Sequence, residues 1–450
     1  MIAFFNLIII ISVAFVILDY KKGFILIFCE YFVVNPEVKL MLGSVSASIF
    51  DVLSISLLFS FLIHKGWKNV DLPNALKKYF VLDILSIFLL IIVSSHIVPL
   101  GYQIKCFFKE DVLHFISFCY IGYFALSGLK NSIAYARAIF LIAIICGVYG
   151  IFSYVIGENP YITLISLSYA GEDSVASLFL DEERGSLMGR AYGTMVHPLA
   201  WGQFWCILLA FAMLIRRKIS KVIFLPLFVI GMVNIYLCGS RSAMLSFGIA
   251  LFAFFVTLRI REKIVVLLFM IIGLTYMSTN PEIRKSETMS YLLANVFFWD
   301  DSYSEDASIR GSSSEMRSDQ LNVAFDVAIN NPTGVGYGYL YYKNEYPRTD
   351  IVGLLGLESV FLKKIVELGF ISLFAYFYFM FLLYKFGASV IKDNSSKMMF
   401  LGYFWSYLIC VLVTGIQARS EYYFVVFTIW YYLMESNRFV KSNKMIVKYE

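Results

Sequence analysis

Apolar runs close to 20 residues long recur about a dozen times along this chain, separated by short charged links. No other feature narrows its fold as much. Lipid offers a backbone N–H or C=O no partner, so a run of this length must close its hydrogen bonds within itself as a helix. A membrane β-barrel would instead show alternating segments of roughly ten residues. Composition agrees, with 60% of residues hydrophobic and only 15% charged, a balance that water-soluble chains of 450 residues do not sustain. The expected fold class is an all-α polytopic membrane protein with about 12–13 transmembrane helices.

The runs fall near residues 2–18, 22–34, 40–63, 79–99, 112–128 and 137–156, then 195–215, 221–238, 242–258 and 263–278, and finally 357–384, 398–416 and 422–434. Five regions follow: N-terminal helices over 1–156, a polar segment over 157–194, helices over 195–278, a second and longer polar segment over 279–356, and C-terminal helices with a tail over 357–450. The first run has no basic residue before it and is followed by Lys21 and Lys22, so it reads as a retained helix and not a cleaved leader.

The net charge of +5 is small for this length, and its placement says more than its size. Lys65, Lys68, Lys77 and Lys78, then Lys130 and Arg137, then Arg216, Arg217, Lys218 and Lys221, then Arg259, Arg261 and Lys263, then Lys385, Lys392 and Lys397 occupy alternate links, and the tail carries Arg438, Lys441, Lys444 and Lys448. The positive-inside rule places these in the cytoplasm, and both long polar segments outside. The longer one contains Asp300, Asp301, Glu305 and Asp306, read as a solvated loop in preference to a cation site. It also holds a helix signal: Ser312 and Glu315 at capping-box spacing, an apolar stripe of Leu321, Phe325 and Ala328, and a stop at Asn330, Asn331 and Pro332.

Seven scattered cysteines form no CxxC pair, and four histidines, His64, His96, His114 and His197, lack ligand spacing, so neither a metal nor another cofactor is expected. Three arginines fall on the external side, where basic residues are thin. Arg190 opens RAYGTMVHPLAWG just before an apolar helix, although a charge anchored at the headgroups would look the same. Arg241 lies in CGSRSAM, a tight turn in which Ser240 or Ser242 can cap the next helix, so amide groups, dipole and guanidinium would face one place, as suits a phosphate. Arg317 falls in the first turn of the loop helix, with Arg310 and Asp319 near enough to pair on a plain surface. Three guanidiniums at one place would suit a diphosphate.

His197 is a candidate base or hydrogen-bonding group at the membrane surface, or a structural histidine. Tyr337, Tyr339, Tyr341 and Tyr342 could stack on sugars. Gly334, Gly336 and Gly338 in NPTGVGYG superficially suggest a phosphate cradle, but no strand precedes them and no Lys-Ser/Thr follows, so a flexible turn is expected. Glu358 begins ESVFLKKIVELG at the external mouth of a long helix, where an ionisable group is a functional candidate, and Glu367 lies deeper, beside Lys363 or Lys364.

The ordered set R-x-x-G before a helix, SRSAM in a turn, an external helix bearing an arginine, NPTGVGYG and ESVFLKKIVELG resembles the O-antigen polymerase and O-antigen ligase superfamily over about residues 185–370. The resemblance implies a GT-C-like membrane glycosyltransferase with a large periplasmic loop in a bacterial inner membrane. Its donor would be an undecaprenyl-pyrophosphate-linked oligosaccharide, with Arg190, Arg241 and Arg317 on the pyrophosphate and no nucleotide sugar. Ligases of this group resemble H-N-x-x-L-x-x-x-x-E-x-G at the last motif. Here Glu358 occupies the histidine place while Leu362, Glu367 and Gly369 keep the spacing, which favours a polymerase with Glu358 as base. Implied partners are membrane lipid and a chain-length regulator protein, with no nucleic acid. A ligase is the alternative, and a lipid-linked-sugar flippase is the rival outside enzymes, opposed by the large external loop and the lack of repeat symmetry.

Overall fold

The structure is a computed structural model of the 450-residue chain. It describes every residue except 1, 34–38, 43–44, 66–73, 95–96, 128, 162–189, 196, 266, 269–270, 272–313, 350, 352–353, 355–358, 415–419 and 447–450. Much of both long polar segments, the acidic cluster at 300–306, and Ser312 of the expected capping box therefore lie outside the described residues.

Helices dominate. In order they are α1 (Ile2–Leu18), α2 (Tyr20–Val33), α3 (Ile49–Lys65), α4 (Asn74–Val93), α5 (Leu100–Cys106), α6 (Phe118–Ala125), α7 (Leu129–Ile156), α8 (Pro198–Leu214), α9 (Lys221–Leu237), α10 (Arg241–Thr257), α11 (Ser314–Asn330), α12 (Tyr339–Glu345), α13 (Val360–Ala388), α14 (Asn394–Thr414) and α15 (Ser420–Ile446). Three stretches, Ser132–Ile156, Val360–Ala388 and Asn394–Val413, are long and apolar enough to cross a bilayer, and six shorter apolar helices accompany them among the described residues. Side chains such as Ile10, Ile145, Val222 and Phe252 stand exposed on the outer faces, as lipid-facing residues do.

Two expectations need correction. The run 40–63 is not one helix: β1 (Lys39–Leu42) and β2 (Val45–Ser48) form an antiparallel hairpin, and α3 starts only at Ile49. The start is set by a reciprocal cap, in which Asp51 N–H donates to Ser48 Oγ at 3.0 Å and Ser48 N–H donates to Asp51 Oδ2 at 3.3 Å. The run 112–128 is likewise only the end of a longer rod. α5 continues into a π-helical segment over Phe107–Ser117 and then into α6 without interruption. The wider turn brings Asp111, His114 and Phe115 to the buried side, which explains how a charged stretch enters the bundle.

α8 is the axis of the bundle. Nearly every residue from Pro198 to Met213 is buried, as in a helix apolar on all sides and surrounded by others. Trp201 and Trp205 press against glycines that let neighbouring backbones approach: a β-carbon on Gly150 would lie 2.8 Å from the Trp201 ring, and one on Gly147 or Gly231 would lie 2.6 or 2.7 Å from that of Trp205. Asn234 of α9 ties the seam, taking Trp201 Nε1–H at 3.0 Å and donating to Gly147 O at 3.0 Å. The basic links gather at one end of the bundle, where Tyr135 of α7 reaches Lys21 O and Ser60 of α3 reaches Ile17 O, both at 3.1 Å. Of the residues singled out from the sequence, Arg190, His197, Tyr337 and Tyr339 are described and lie toward the other end.

Candidate active site at the end opposite the basic links

Two stretches far apart in sequence meet beside α8. Arg190 Nε donates to Cys238 O at 2.8 Å, and Ala191 N–H donates to Leu237 O at 3.0 Å. The half-buried Arg190 is thus fastened to the turn that precedes Arg241. That turn is short because Gly239 takes a positive φ of 59° and Ser240 caps α10, accepting from Ala243 N–H at 3.4 Å. The uncapped amides and positive dipole end of α10 point away from its first turn, toward the level at which Arg190 is held. The Arg190 segment is bolted on its other side too. Asn159 Nδ2 donates to Gly193 O at 2.7 Å, and Thr194 Oγ1 donates to Phe32 O at the end of α2 at 2.5 Å. His197 is the N-cap of α8, its Nδ1 accepting from Leu199 N–H at 3.1 Å, with Pro198 in the first turn.

A second assembly forms around NPTGVGYG. α13 is broken at Gly369, where φ is 70° and ψ −170°, so carbonyls of the preceding turn lose their helical partners. The glycine loop supplies substitutes: Val335 N–H donates to Val366 O at 2.9 Å and Gly336 N–H to Glu367 O at 3.1 Å. The approach is so close that a β-carbon on Gly369 would collide with Pro332 O, and one on Gly334 with the Glu367 backbone. Glu367 then accepts from Leu340 N–H at 3.1 Å through Oε1. On the far side Gln103 Oε1 accepts from Tyr337 N–H at 2.9 Å, while its Nε2 donates to Val98 O at 2.9 Å. The loop is a buried clasp joining α5, α12 and α13, and not the flexible turn expected from its glycines. Its amides serve protein carbonyls in place of a phosphate.

Beneath the clasp lies a set of charges that sequence reading missed. His114 of the π-helical segment meets Asp51 Oδ1 with Nε2 at 2.6 Å, Lys109 meets Asp51 Oδ2 at 3.3 Å, and Glu110 lies 3.9 Å from His114 Nδ1. Asp111 is buried and accepts the Tyr337 hydroxyl. Lys109, Glu110 and His114 share a helix face at i, i+1 and i+5, a usable signal, but Asp51 is 63 residues from His114 and nothing local announces it.

The tyrosines separate into two groups. Tyr337 and Tyr339 are enclosed, and Tyr339 is held at both ends of its hydroxyl, donating to Thr349 O at 3.0 Å and accepting from Ile351 N–H at 2.8 Å. Neither ring offers a face to a sugar. Tyr341 and Tyr346 do, with 44% and 51% of their surface exposed. Tyr346 packs on Tyr342 at 4.5 Å between centroids, Tyr342 on Tyr102 at 5.0 Å, and the Lys363 ammonium lies 4.8 Å from the Tyr341 ring centre. Lys363 favours the Tyr341 phenolate, but partial burial and the Glu110 and Glu367 carboxylates oppose it and push the phenol up to about 12, so it remains a neutral donor.

Glu358 and Arg310 lie outside the described residues, as do the side chains of Arg241 and Arg317. The backbone places Arg317 in the first turn of α11, as expected, and Ser359, which follows Glu358 in the sequence, is the N-cap of α13. α11 packs on α13 through Ala324, Ala328 and Phe325, whereas Leu321 of the expected stripe is 41% exposed. Among the described residues, no three His, Cys, Asp or Glu are grouped to hold a metal.

Residues 226–377 match the family model described as O-antigen ligase. This segment is about a third of the chain and runs from α9 to the middle of α13. It contains Arg241, Arg317, the glycine clasp and the whole of ESVFLKKIVELG. It therefore bears out the resemblance to the polymerase and ligase superfamily drawn from those motifs, and indicates a membrane enzyme of the glycosyltransferase or ligase type. Arg190 and the helices before it lie outside the matched segment. No curated protein matches the chain, and no solved structure does.

Proposed function

We propose that this chain is a polysaccharide polymerase, of O-antigen or a related surface glycan. It transfers a growing glycan from undecaprenyl pyrophosphate to a sugar hydroxyl of a lipid-linked repeat unit. The observation that carries the reading is the seat of Arg190 on the Cys238 carbonyl, which joins one of the expected arginines to the turn presenting another. Breaking the glycosidic bond leaves charge on a diphosphate, and forked guanidinium donors with the amides at the start of α10 are suited to stabilise it. Arg190 and Arg241 hold the leaving diphosphate in this scheme, Arg317 reaches it from the first turn of α11, and Arg310 assists on the sugar side. Glu358 takes the proton of the attacking hydroxyl. His197 keeps the Arg190 segment aligned with α8, and Tyr341 and Tyr346 offer faces for the glycan, a role the burial of Tyr337 and Tyr339 moves to them.

The site end faces the periplasm of the inner membrane, the helices form a GT-C-like bundle, and a chain-length regulator acts as partner. A ligase is the second reading, favoured by the description of the matching family and opposed by glutamate at position 358. One gel separates them. A null strain of a polymerase accumulates lipopolysaccharide core bearing one repeat unit, a null strain of a ligase accumulates bare core, and a normal ladder in the null strain overturns both.

A further inference from the structure

α1, α2, α3 and α7 line a half-open cavity of about 340 Å³, within the size that holds an organic ligand. Its walls are mostly aliphatic, from Ile8 and Ile9 of α1 to Ile142 of α7, with Tyr161 at the edge, and the charged residue among them is Glu30 of α2. The Ser12 hydroxyl donates to Glu30 Oε1. Glu30 Oε2 is buried and, among the described residues, has no hydrogen-bond partner. A carboxyl at such depth is costly unless it is paired, and marks a functional position. The walls beside the carboxyl are mostly aliphatic and offer a water few partners other than Glu30 itself.

The occupant that does fit is an amphiphile with a hydrocarbon chain for the walls and one N–H-bearing cation for Oε2, a charge-assisted bond stronger than a neutral one. Position agrees with this chemistry. Glu30 is less than one turn from Phe32, whose carbonyl receives the Thr194 hydroxyl, so the carboxyl lies toward the end of α2 opposite the basic links.

We propose that this cavity is a binding site for a phospholipid with a primary ammonium headgroup, seated with one acyl chain against Ile142 and its ammonium on Glu30. The site is separate from the glycan chemistry, and its test does not depend on that reading. Purified full-length protein is exchanged into mixed micelles containing phosphatidylethanolamine, phosphatidylglycerol or phosphatidylcholine, and retained lipid is counted by native mass spectrometry. Phosphatidylcholine keeps the positive charge but has no N–H to donate. The expected result is retention of phosphatidylethanolamine over the other two by about tenfold, falling to within about twofold in Glu30→Gln. Equal retention of the three lipids, or an unchanged preference in Glu30→Gln, overturns the proposal. Retention by the unaltered chain needs no substitution, so equal retention of the three lipids overturns the site even if Glu30→Gln fails to fold.

Discussion

Arg190 Nε donates to the carbonyl oxygen of Cys238 at 2.8 Å, so the segment leading into α8 is latched to the turn that opens α10. The bond holds the guanidinium in place beside a helix start. Lysine has charge but no planar fork, and cannot hold that carbonyl and face an anion with parallel donors.

Arg190→Lys and Arg241→Lys should each lower chain formation from purified lipid-linked units, with a loss of roughly 2–4 kcal/mol in transition-state stabilisation. The double replacement should cost less than the sum, because both would act on one diphosphate. Arg217→Lys, at the opposite end, is the control. Full activity of Arg241→Lys, or strict additivity, would remove the shared clamp.

Glu358→Gln keeps the shape of the side chain and loses its ability to take a proton. Turnover normalised to folded protein should fall about 100-fold or more if Glu358 is the base. A modest loss would leave it an orienting role, and none would dismiss it.

Gly369→Ala should destabilise the protein more than its distance from the arginines suggests. A positive φ costs a non-glycine residue about 1–3 kcal/mol, and the collision with Pro332 O adds to this. Gly248→Ala makes a matched control in α10, where a β-carbon meets nothing and helix propensity favours alanine. Thermal unfolding in detergent followed by tryptophan fluorescence should show a lowered midpoint for the first substitution alone.

Tyr341→Ala should raise KM for lipid-linked units by roughly two- to tenfold, corresponding to about 0.5–1.5 kcal/mol for a lost aromatic contact. Tyr339→Phe, inside the clasp, should lower the melting temperature and leave KM nearly unchanged. An unaltered KM in Tyr341→Ala would remove the sugar-facing role of α12.

Single cysteines at Ser304 and Ser442 test the orientation. All seven native cysteines are buried, so an impermeant thiol reagent on intact cells should report the new ones. Labelling at 304 and not at 442 is expected from the alternating basic links. The reverse would move the site to the cytoplasm.

Much of this architecture could be read from local signals. The runs that became α8, α9 and α10 were placed to within a few residues, because Pro198, the basic Arg216–Lys218 link and the Ser240 cap are punctuation that acts within one turn. α11 ended at Asn330 for the same reason. What escaped notice depends on distance. The Tyr337–Asp111 bond spans 226 residues, and no window along the chain contains both. The glycines of NPTGVGYG suggested freedom, whereas their role is to let the loop lie flat on a broken helix, which only the partner at Gly369 reveals. Residues 107–111 fell between the expected runs 79–99 and 112–128, because a π-helical turn, which buries Asp111, has no simple pattern in sequence.

Asp51 serves two parts of the molecule with one carboxylate. Its Oδ2 receives the Ser48 amide and lies against Lys109, and its Oδ1 holds His114. The point at which the hairpin gives way to α3 and the ionic contact that fastens the π-helical segment are therefore a single inherited unit. A lineage that altered position 51 would lose both together, and one that altered position 114 would leave Oδ1 without its partner while Lys109 still faces Oδ2. Across descendants of this chain, positions 48, 51, 109 and 114 should drift in concert, at a rate slower than that of the aliphatic residues around them.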